Sequence, residues 1–276
     1  MTRLFGVIGS PISHSLSPVM HAAAFRALQL DALYTAVDVP PASLAPMLRA
    51  LILSGVEGLN VTVPLKEPVL RLLDRLDASA RVTGAVNTVV IRNRRTVGYN
   101  TDSAGFARAL SELGWRPRRG GCAVVLGAGG SARAVAWELA RSGIGCVAIA
   151  NRHPARAKRL AAMLSRHRPR ACICAVPLRG VDVSEADLVV NATTVGMRAK
   201  DQPLVDPSAL RRGTFVYDLV YHRPTALVLG ARRRGCVAAN GLSMLLYQGA
   251  ESLRLWVRRP PPVGAMRAAL LKAIGA

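Results

Sequence analysis

Lys66 is the residue whose type is least expected at its position. The chain contains 33 arginines but only four lysines, at positions 66, 158, 200 and 272. A guanidinium stays charged, whereas an ammonium gives up its proton once its surroundings favour the neutral amine. We predict a helix over residues 65–76, directly after Pro64, whose positive N-terminal end would favour that loss. Lys66 is therefore a candidate acid–base group, with a solvated loop lysine as the alternative.

Small polar residues follow the predicted strands of the first hundred residues. They are Ser15, Ser17, Asn60, Thr62, the pair Asn87-Thr88 and the run Asn100-Thr101-Asp102. Each has a structural alternative, since Ser17 before Pro18 and Asp102 before Ser103 both suit a helix N-cap. Gln248, on a late helix, could face solvent. Together these residues supply hydroxyl, amide, ammonium and carboxylate groups that suit a small polyhydroxylated acid.

A glycine-rich turn follows a buried strand in the second half of the chain. The turn reads Gly127-Ala128-Gly129-Gly130-Ser131, after a predicted strand over 122–126 and before a predicted helix over 131–142. Glycines let the backbone approach a pyrophosphate closely, and a helix N-terminus favours its charge. Many strand–helix turns need glycine for steric reasons alone, so the flanking elements carry the dinucleotide-site prediction.

The next predicted strand indicates which dinucleotide. An NAD site needs an acidic residue about 20 positions after the glycines, to hold the ribose 2′-hydroxyl. Here no Asp or Glu occurs over residues 139–181, and the strand ends in Asn151-Arg152-His153, with Arg156 close behind. Two arginines without a carboxylate suit a 2′-phosphate dianion. We therefore expect NADP rather than NAD, although the arginine bias of the chain is an alternative source of both residues.

Strands and helices are predicted to alternate along the chain. The pattern has strands at 4–8, 34–39, 58–63, a hairpin of 87–92 with 96–99, and strands at 122–126, 146–150, 188–191 and 215–219. Helices are predicted at 17–30, 44–54, 65–76, 103–113, 131–142, 154–165, 243–256 and 263–274. Alternation of this kind favours α/β architecture with parallel sheets covered by helices on both faces.

Composition limits the class of protein. The net charge of +21 invites a nucleic-acid interpretation, but the arginines occur in small groups without interleaved aromatic residues that would stack on bases. We read the charge mainly as arginine bias on solvated faces. The five cysteines lack metal-site spacing, which indicates thiols in a reducing cytoplasm and no metal centre. We expect no signal peptide, because the apolar run near Met1 is too short for one, and the sequence contains no apolar run of transmembrane length.

Over essentially its full length the chain resembles the shikimate dehydrogenase family. The motifs that carry the resemblance are Gly9-Ser-Pro-Ile-Ser-His-Ser15-Leu-Ser17-Pro, Asn60-Val-Thr-Val-Pro-Leu-Lys66, Gly84-Ala-Val-Asn87-Thr88, Asn100-Thr-Asp102, Gly127-Ala-Gly-Gly, Asn151-Arg152, Asn191-Ala-Thr193, Asp218-Leu-Val-Tyr221 and Gly241-Leu-Ser-Met-Leu-Leu-Tyr-Gln248. The order and spacing of so many motifs are far more specific than a glycine turn alone.

The resemblance implies NADPH-dependent, reversible reduction of 3-dehydroshikimate to shikimate in aromatic amino-acid biosynthesis. It implies that Lys66 and Asp102 are the catalytic pair, and that Ser15 and Ser17 hold the substrate carboxylate. It implies that the substrate pocket is lined by Asn60, Thr62, Asn87, Tyr221 and Gln248. It assigns NADP(H) to Gly127, Ala128, Gly129, Gly130, Ser131, Asn151, Arg152, His153, Arg156, Thr193, Leu219 and Gly241.

The fold implied is α/β, with an N-terminal open βα substrate domain and a Rossmann-like NADP-binding domain, and a cleft between them. The substrate domain would span residues 1–105, completed by C-terminal helices in 240–276, and the NADP domain would span 106–239. We expect a cytoplasmic monomer or homodimer whose partner is a small-molecule substrate, without nucleic acid or membrane. A quinate or amino-shikimate dehydrogenase is the nearest alternative, with Ser17 favouring shikimate, and a non-catalytic binding protein is the other.

Overall fold

A computed structural model describes residues 1–168 and 171–275, which form two compact units. The first unit comprises Met1–Gly105 with Leu245–Ala276, and the second comprises Phe106–Met244. In chain order the elements are β1 (Arg3–Gly9), α1 (Ser17–Ala27), β2 (Ala32–Asp38), α2 (Leu44–Leu53), β3 (Val56–Val61), β4 (Arg75–Leu76), α3 (Ala78–Thr83), β5 (Thr88–Arg92), β6 (Arg95–Tyr99), α4 (Asp102–Glu112), β7 (Cys122–Leu126), α5 (Gly130–Ser142), β8 (Cys146–Asn151), α6 (Pro154–His167), β9 (Cys172–Pro177), β10 (Leu188–Asn191), β11 (Phe215–Asp218), α7 (Ala226–Arg233), β12 (Val237–Asn240), α8 (Leu242–Val257) and α9 (Val263–Ala273).

The sheet of the first unit has the strand order β2-β1-β3-β5-β6-β4. Strands β1, β2 and β3 are parallel, whereas β5 pairs antiparallel with both β3 and β6. The expectation of a parallel sheet is therefore wrong for this unit, because the predicted hairpin of β5 and β6 joins the same sheet. Asn93 and Arg94 both adopt positive φ at its turn, the backbone of a two-residue hairpin loop.

The first unit closes around α8, the helix that carries Gln248. At its far end the Trp256 indole donates a 3.0 Å hydrogen bond to the carbonyl of Val89 in β5. The indole also covers Gly58 of β3, where a Cβ would have no room. At the near end a Cβ on Gly105 would lie only 2.7 Å from the backbone nitrogen of Gln248. Glycine at these two positions thus lets α8 pack directly against β3 and α4.

The second unit has one six-stranded parallel sheet, in the order β9-β8-β7-β10-β11-β12. Counted within the unit this order is 3-2-1-4-5-6, the arrangement of a doubly wound Rossmann-type sheet. The chain reverses its direction of growth between β7 and β10, and such a point opens a crevice at the carboxyl ends of the strands. The α/β class expected from the alternating pattern is confirmed in both units.

The helix predicted over residues 65–76 is wrong. The structure has an irregular turn through Lys66, a short 3-10 helix at Pro68–Leu72 and then strand β4. Pro68 has no N–H to donate to the carbonyl four residues earlier, so the first hydrogen bond of an α-helix that begins at residue 65 cannot form. The helix dipole invoked for Lys66 is therefore absent.

Five further short elements escaped the sequence prediction in the described part of the chain. Strands β4, β9 and β12 and helices α3 and α7 have weak local signals, since β12 reads Val-Ala-Ala-Asn, β4 has only two residues and α3 only six. The positions of the three strands are set by pairing with β6, β8 and β11. Within residues 1–168 and 171–275, no helix is both long enough and apolar enough to cross a membrane.

Candidate functional site

The candidate residues of the first unit gather at one edge of its sheet. Ser15 and Ser17 follow β1, and Thr62 follows the parallel strand β3. Strand β5 runs the opposite way and starts at this edge next to Asn87, while β6 returns and ends there, before Asp102. The antiparallel hairpin therefore brings residues before one strand and after another to the edge where β1 and β3 end.

Lys66 and Asp102 form a buried ion pair. The distance from Lys66 Nζ to Asp102 Oδ2 is 2.6 Å, and the two side chains are 10% and 4% exposed. The backbone carbonyl of Lys66 accepts a hydrogen bond from the amide of Val86, and this bond holds the turn that carries Lys66. Asp102 is the first residue of α4, and the side chain of Asn100 accepts from its amide. Removing one member of such a pair leaves an uncompensated buried charge, so both ions depend on each other.

Asn87 connects this ion pair to α8. Its amide nitrogen lies 2.7 Å from Asp102 Oδ1, 2.9 Å from Thr101 Oγ1 and 3.1 Å from Gln248 Oε1. Its oxygen accepts from the backbone amide of Thr101 at 2.8 Å. Both carboxylate oxygens of Asp102 are thus occupied, one by Lys66 and one by Asn87. Gln248 is part of this network, so the solvent-facing alternative for it is wrong.

Asn60 lies next to Asn87, and its side-chain nitrogen and oxygen both form hydrogen bonds with other residues of the protein. Its amide nitrogen lies 3.1 Å from the Asn87 carbonyl, 3.0 Å from Ser252 Oγ and 3.3 Å from Thr88 Oγ1. Its oxygen accepts from the Tyr34 hydroxyl at 2.7 Å. An amide has only two N–H donors, so these contacts use its donor capacity within the protein.

A fully buried histidine holds the tyrosine beneath Asn60. The His21 ring stacks on Tyr34 with centroids 4.4 Å apart and planes 10° apart. Burial lowers the pKa of His21 to about 3, so the ring is neutral near pH 7. The stack fixes the position of the Tyr34 ring, whose hydroxyl donates to the oxygen of Asn60.

Ser252 is a residue of this network that the sequence analysis missed. Its hydroxyl lies 2.7 Å from Thr88 Oγ1 and 3.2 Å from Thr101 Oγ1, and it donates to the carbonyl of Gln248 at 2.9 Å. Ser252 is entirely buried. Its signal in the sequence was helical spacing, because a residue four positions after Gln248 shares its face of the helix.

The serines and Thr62 line the same edge. Ser17 is the first residue of α1, and no side-chain hydrogen bond caps this helix, so the N-cap alternative for it is wrong. The Ser15 hydroxyl accepts from the amide of Ser17 at 3.3 Å. Thr62 is half-buried, and its amide donates to Ile8 of the neighbouring strand. Tyr221 alone among the substrate candidates belongs to the second unit.

The glycine turn of the second unit has the backbone of a dinucleotide turn. Gly127 has a φ of +116°, and a Cβ there would lie 2.9 Å from the carbonyl oxygen of Ala192. Gly129 precedes the first turn of α5, and a Cβ on it would meet open space. Ala128 is buried, and Gly130 and Ser131 begin α5. The side chains of the turn therefore do not cover the N-terminus of α5, which stays accessible to a ligand.

Arg152 and Arg156 flank the start of α6, beside the end of β8. Both side chains are exposed, and neither forms an ion pair with a described residue. His153 is the N-cap residue, and its carbonyl accepts from the side chain of Asn151 at 3.0 Å and from the amide of Arg156 at 3.0 Å. Within the described chain these two guanidiniums have no carboxylate partner, and their place by a helix start suits a phosphate dianion.

The remaining cofactor candidates lie at the carboxyl ends of the neighbouring strands. The Asn191 oxygen accepts from the hydroxyl of Thr193 at 2.7 Å, and the Asn191 amide donates to Asp218 at 2.9 Å. The Leu219 amide bonds to the Asn191 carbonyl, and a Cβ on Gly241 would clash with the carbonyl of Leu219. These contacts lock the loops after β10, β11 and β12 side by side.

Asp218 organises the same loops from within the sheet. Its oxygens accept from the Thr225 hydroxyl at 2.7 Å and from the amide of Val220 at 3.0 Å. Burial raises the pKa of Asp218, against the effect of these hydrogen bonds. The side chain holds the backbone leading to Tyr221, whose carbonyl accepts from Asn240 at 3.4 Å.

Three family models match successive parts of the chain. Residues 7–89 match a model described as the shikimate dehydrogenase substrate binding domain. Residues 117–219 match shikimate / quinate 5-dehydrogenase, and residues 241–271 match the shikimate 5′-dehydrogenase C-terminal domain. The first of these matches falls within the first unit of the structure, and the match over 117–219 falls within the second.

Relatives and solved structures match over the whole chain. An NADP(+) shikimate dehydrogenase of Moorella thermoacetica is 47% identical over 100% of this chain and 95% of the relative. The structure of shikimate 5-dehydrogenase from Thermus thermophilus with NADP(H) and shikimate is 39% identical, with a TM-score of 0.87 over 99% of this chain and 100% of that one. A quinate dehydrogenase from Corynebacterium glutamicum with NAD is 35% identical, with a TM-score of 0.90 over 98% and 99% of the two chains.

Proposed function

The chain belongs to the shikimate dehydrogenase family, and from this premise we propose that it reduces 3-dehydroshikimate to shikimate, reversibly, with NADPH. The observation that carries the proposal is the buried ion pair of Lys66 and Asp102, joined through Asn87 to Gln248 at one edge of the sheet. Lys66 and Asn87 lie in the part of the chain that matches a substrate binding domain, and Gln248 lies in the part that matches the C-terminal domain. It combines a proton donor, a carboxylate and amide groups, as reduction of a ring ketone on a polyhydroxylated acid requires.

In the proposed mechanism the residues of the protein donate and accept the proton that the reaction requires. NADPH supplies the hydride to the ring ketone when it is bound. The negative charge that develops on the ketone oxygen needs a proton, and the ammonium of Lys66 donates it. Asp102 orients the ammonium, and Asn87 holds the second carboxylate oxygen so that the carboxylate cannot rotate. In the reverse direction the same pair removes the proton from the substrate hydroxyl.

The residues present fit the cofactor that the family uses. We assign the pyrophosphate to the turn from Gly127 to Ser131, where positive φ and the absence of side chains leave room for it. Arg152 and Arg156 would hold the 2′-phosphate. The hydrogen bond from Asn151 to the carbonyl of His153 shapes the loop from the end of β8 to the start of α6. Thr193, Leu219 and Gly241, at the adjoining strand ends, would contact the nicotinamide half.

On the substrate side, we assign the carboxylate to the hydroxyls of Ser15 and Ser17, and ring hydroxyls to Thr62, Asn87, Gln248 and Tyr221. The resemblance implies that Asn60 also lines the pocket. Its contacts support a positioning role instead, because its donors are used by Asn87, Thr88 and Ser252. In this role Asn60 and Ser252 keep Asn87 facing Asp102.

The first experiment is a reduction assay of NADP⁺ and NAD⁺, each with shikimate and with quinate. We expect the highest kcat/KM for NADP⁺ with shikimate. A preference for quinate would favour the quinate dehydrogenase alternative, which the likeness to the Corynebacterium glutamicum enzyme keeps open. No turnover with any pair would favour a non-catalytic binding protein.

We propose that the protein is a cytoplasmic monomer or homodimer. Sedimentation velocity would determine the oligomeric state, and cell fractionation the location.

Ser252→Ala should destabilise the protein and lower turnover through Asn87. Removal of the hydroxyl takes a hydrogen-bond partner from Asn60 and from Thr88, and the loss of one such bond costs about 0.5–1.5 kcal/mol in the free energy of unfolding. We expect kcat to fall while the pH profile keeps its shape, because Lys66 and Asp102 remain. Urea unfolding and pH-dependent kinetics would measure both effects.

Ser54→Ala is the matched control for this variant. Ser54 donates to the carbonyl four residues earlier, as Ser252 does, but it is exposed at the end of α2. Ser54→Ala should leave kcat and unfolding nearly unchanged. Equal effects of the two variants, or a Ser252→Ala protein with wild-type kcat, would contradict the positioning role.

The basic surface should not make the protein a specific nucleic-acid binder. With a net charge of +21 we expect only weak DNA binding, independent of sequence and steeply dependent on salt. Fluorescence anisotropy with two unrelated duplexes at low and physiological salt would test this. Tight binding that distinguishes the two sequences at physiological salt would contradict it and revive the nucleic-acid interpretation.

A further inference from the structure

Four of the five cysteines lie together on three neighbouring strands of the second unit. Cys122 on β7 is in register with Cys146 on β8, which is in register with Cys172 on β9. Cys174 follows two positions later on β9 and lies opposite Ala148, not opposite another thiol. The Sγ atoms of Cys146 and Cys172 are 3.1 Å apart. The proposed dehydrogenase mechanism uses none of these thiols.

The thiols of Cys146 and Cys172 differ in their surroundings. Cys172 is exposed, whereas Cys146 is half-buried between its neighbours. Burial raises the pKa of the Cys146 thiol, and burial likewise raises the pKa of Cys122. Because Cys172 is the more exposed of the two, an oxidant in solution reaches it first, with the less exposed sulfur of Cys146 directly beside it.

We propose that Cys146 and Cys172 are a redox modification site, which a hydroperoxide converts reversibly to an intramolecular disulfide. The Cys172 sulfur attacks the peroxide, the O–O bond breaks, and Cys172 becomes a sulfenic acid as an alcohol or water leaves. The Cys146 sulfur then displaces the sulfenic oxygen as water and the S–S bond forms. Two thiol protons and two electrons thus reduce one hydroperoxide.

The backbone permits this bond. Neighbouring strands lie about 4.7–4.9 Å apart, which is within the roughly 4.4–6.8 Å that disulfides span between Cα atoms. Because residues 146 and 172 are in register on adjacent strands, their Cβ atoms leave the same face of the sheet. Joining the sulfurs then needs side-chain rotation and a small approach of the two Cβ atoms, from about the strand spacing to the roughly 3.5–4.5 Å that a disulfide requires.

The bond would close the segment that contains β8, α6 and the arginines assigned to the 2′-phosphate. Cys146 begins β8 and Asn151 ends it, so the bond lies roughly 16 Å along the strand from Asn151, the residue before Arg152. We therefore expect oxidation to leave NADP⁺ affinity unchanged and to raise the melting temperature, because a cross-link restricts the unfolded chain.

The test uses the full-length protein, reduced and then treated with hydrogen peroxide. Remaining thiols are alkylated, and peptides are mapped by mass spectrometry without reduction. We expect a Cys146–Cys172 cross-linked peptide, reversed by a thiol reductant, and a higher melting temperature for the oxidised protein. Cys172→Ser should abolish both, whereas Cys236→Ser, which alters a buried thiol outside the group, should abolish neither.

Several results would overturn the proposal. They are a cross-link of Cys146 to Cys122 instead, disulfides only between molecules, or Cys172 oxidised to a sulfinic acid while Cys146 remains alkylatable. A melting temperature that rises equally in Cys172→Ser would show that the stabilisation has another source. Because these measurements are made without substrate, they stand apart from the test of the dehydrogenase activity.

Discussion

Lys66→Ala should lower turnover by roughly 10²–10⁴-fold, the usual contribution of a positioned acid–base group. The substitution removes the proposed proton donor and also leaves the buried Asp102 without its partner at 2.6 Å. Loss of one partner of a buried pair costs about 3–5 kcal/mol, so the free energy of unfolding should fall as well. Thermal melting must therefore accompany the kinetics.

Lys66→Arg separates the loss of the proton donor from the loss of the charge. The guanidinium keeps a cation beside Asp102 but cannot release a proton near neutral pH. We expect a folded protein with turnover nearly as low as that of the alanine variant. Asp102→Asn should also lose turnover, because it removes the charge that orients the ammonium.

Lys272→Ala is the control, since Lys272 is an exposed lysine on α9 of the same unit. It should behave as wild type in turnover and melting. A Lys66→Arg variant that folds and keeps near-wild-type turnover would show that Lys66 is not the proton donor. The proton donor would then be another residue of the network.

Arg152→Ala should weaken NADP⁺ strongly and leave NAD⁺ almost untouched, because only NADP⁺ carries the 2′-phosphate. A charge-assisted hydrogen bond contributes about 1.5–3 kcal/mol, which corresponds to a loss of roughly tenfold to hundredfold. His153→Asp should shift the cofactor preference further from NADP⁺ toward NAD⁺. The acid repels the 2′-phosphate of NADP⁺ and can accept a hydrogen bond from the free ribose hydroxyl of NAD⁺. The measurement is kcat/KM for both cofactors with shikimate.

Arg159→Ala provides the matched control on the same helix. Arg159 is exposed on α6, beyond the first turn that carries Arg156. It should change neither cofactor's kcat/KM. Equal losses for both cofactors in Arg152→Ala would mean that the arginine supports the loop rather than the phosphate. A wild-type preference for NAD⁺ would overturn the cofactor assignment and favour the quinate-type alternative.

Local patterns predicted β7, α5, β8, α6, β10 and β11 of the second unit, but not β9, α7 and β12. Strands β7 and β10 begin and end where the alternation of apolar runs and glycines placed them, because buried parallel strands are short apolar runs bounded by turn residues. The hairpin of β5 and β6 was also predicted. The residues 65–76 were not, because their apolar content suggested a helix while Pro68 and pairing with β6 prevented one.

The sequence by itself determined the family, the α/β class and which residue types were available for chemistry. Their partners were decided by the tertiary structure. Asn60 and Asn87 are both asparagines in similar motifs, yet packing of α8 turns the donors of Asn60 toward Ser252 and leaves Asn87 beside Asp102. Likewise, cysteines far apart in sequence became neighbours only through strand register. A side chain's hydrogen bonds depend on residues distant along the chain, and local spacing carries no information about those.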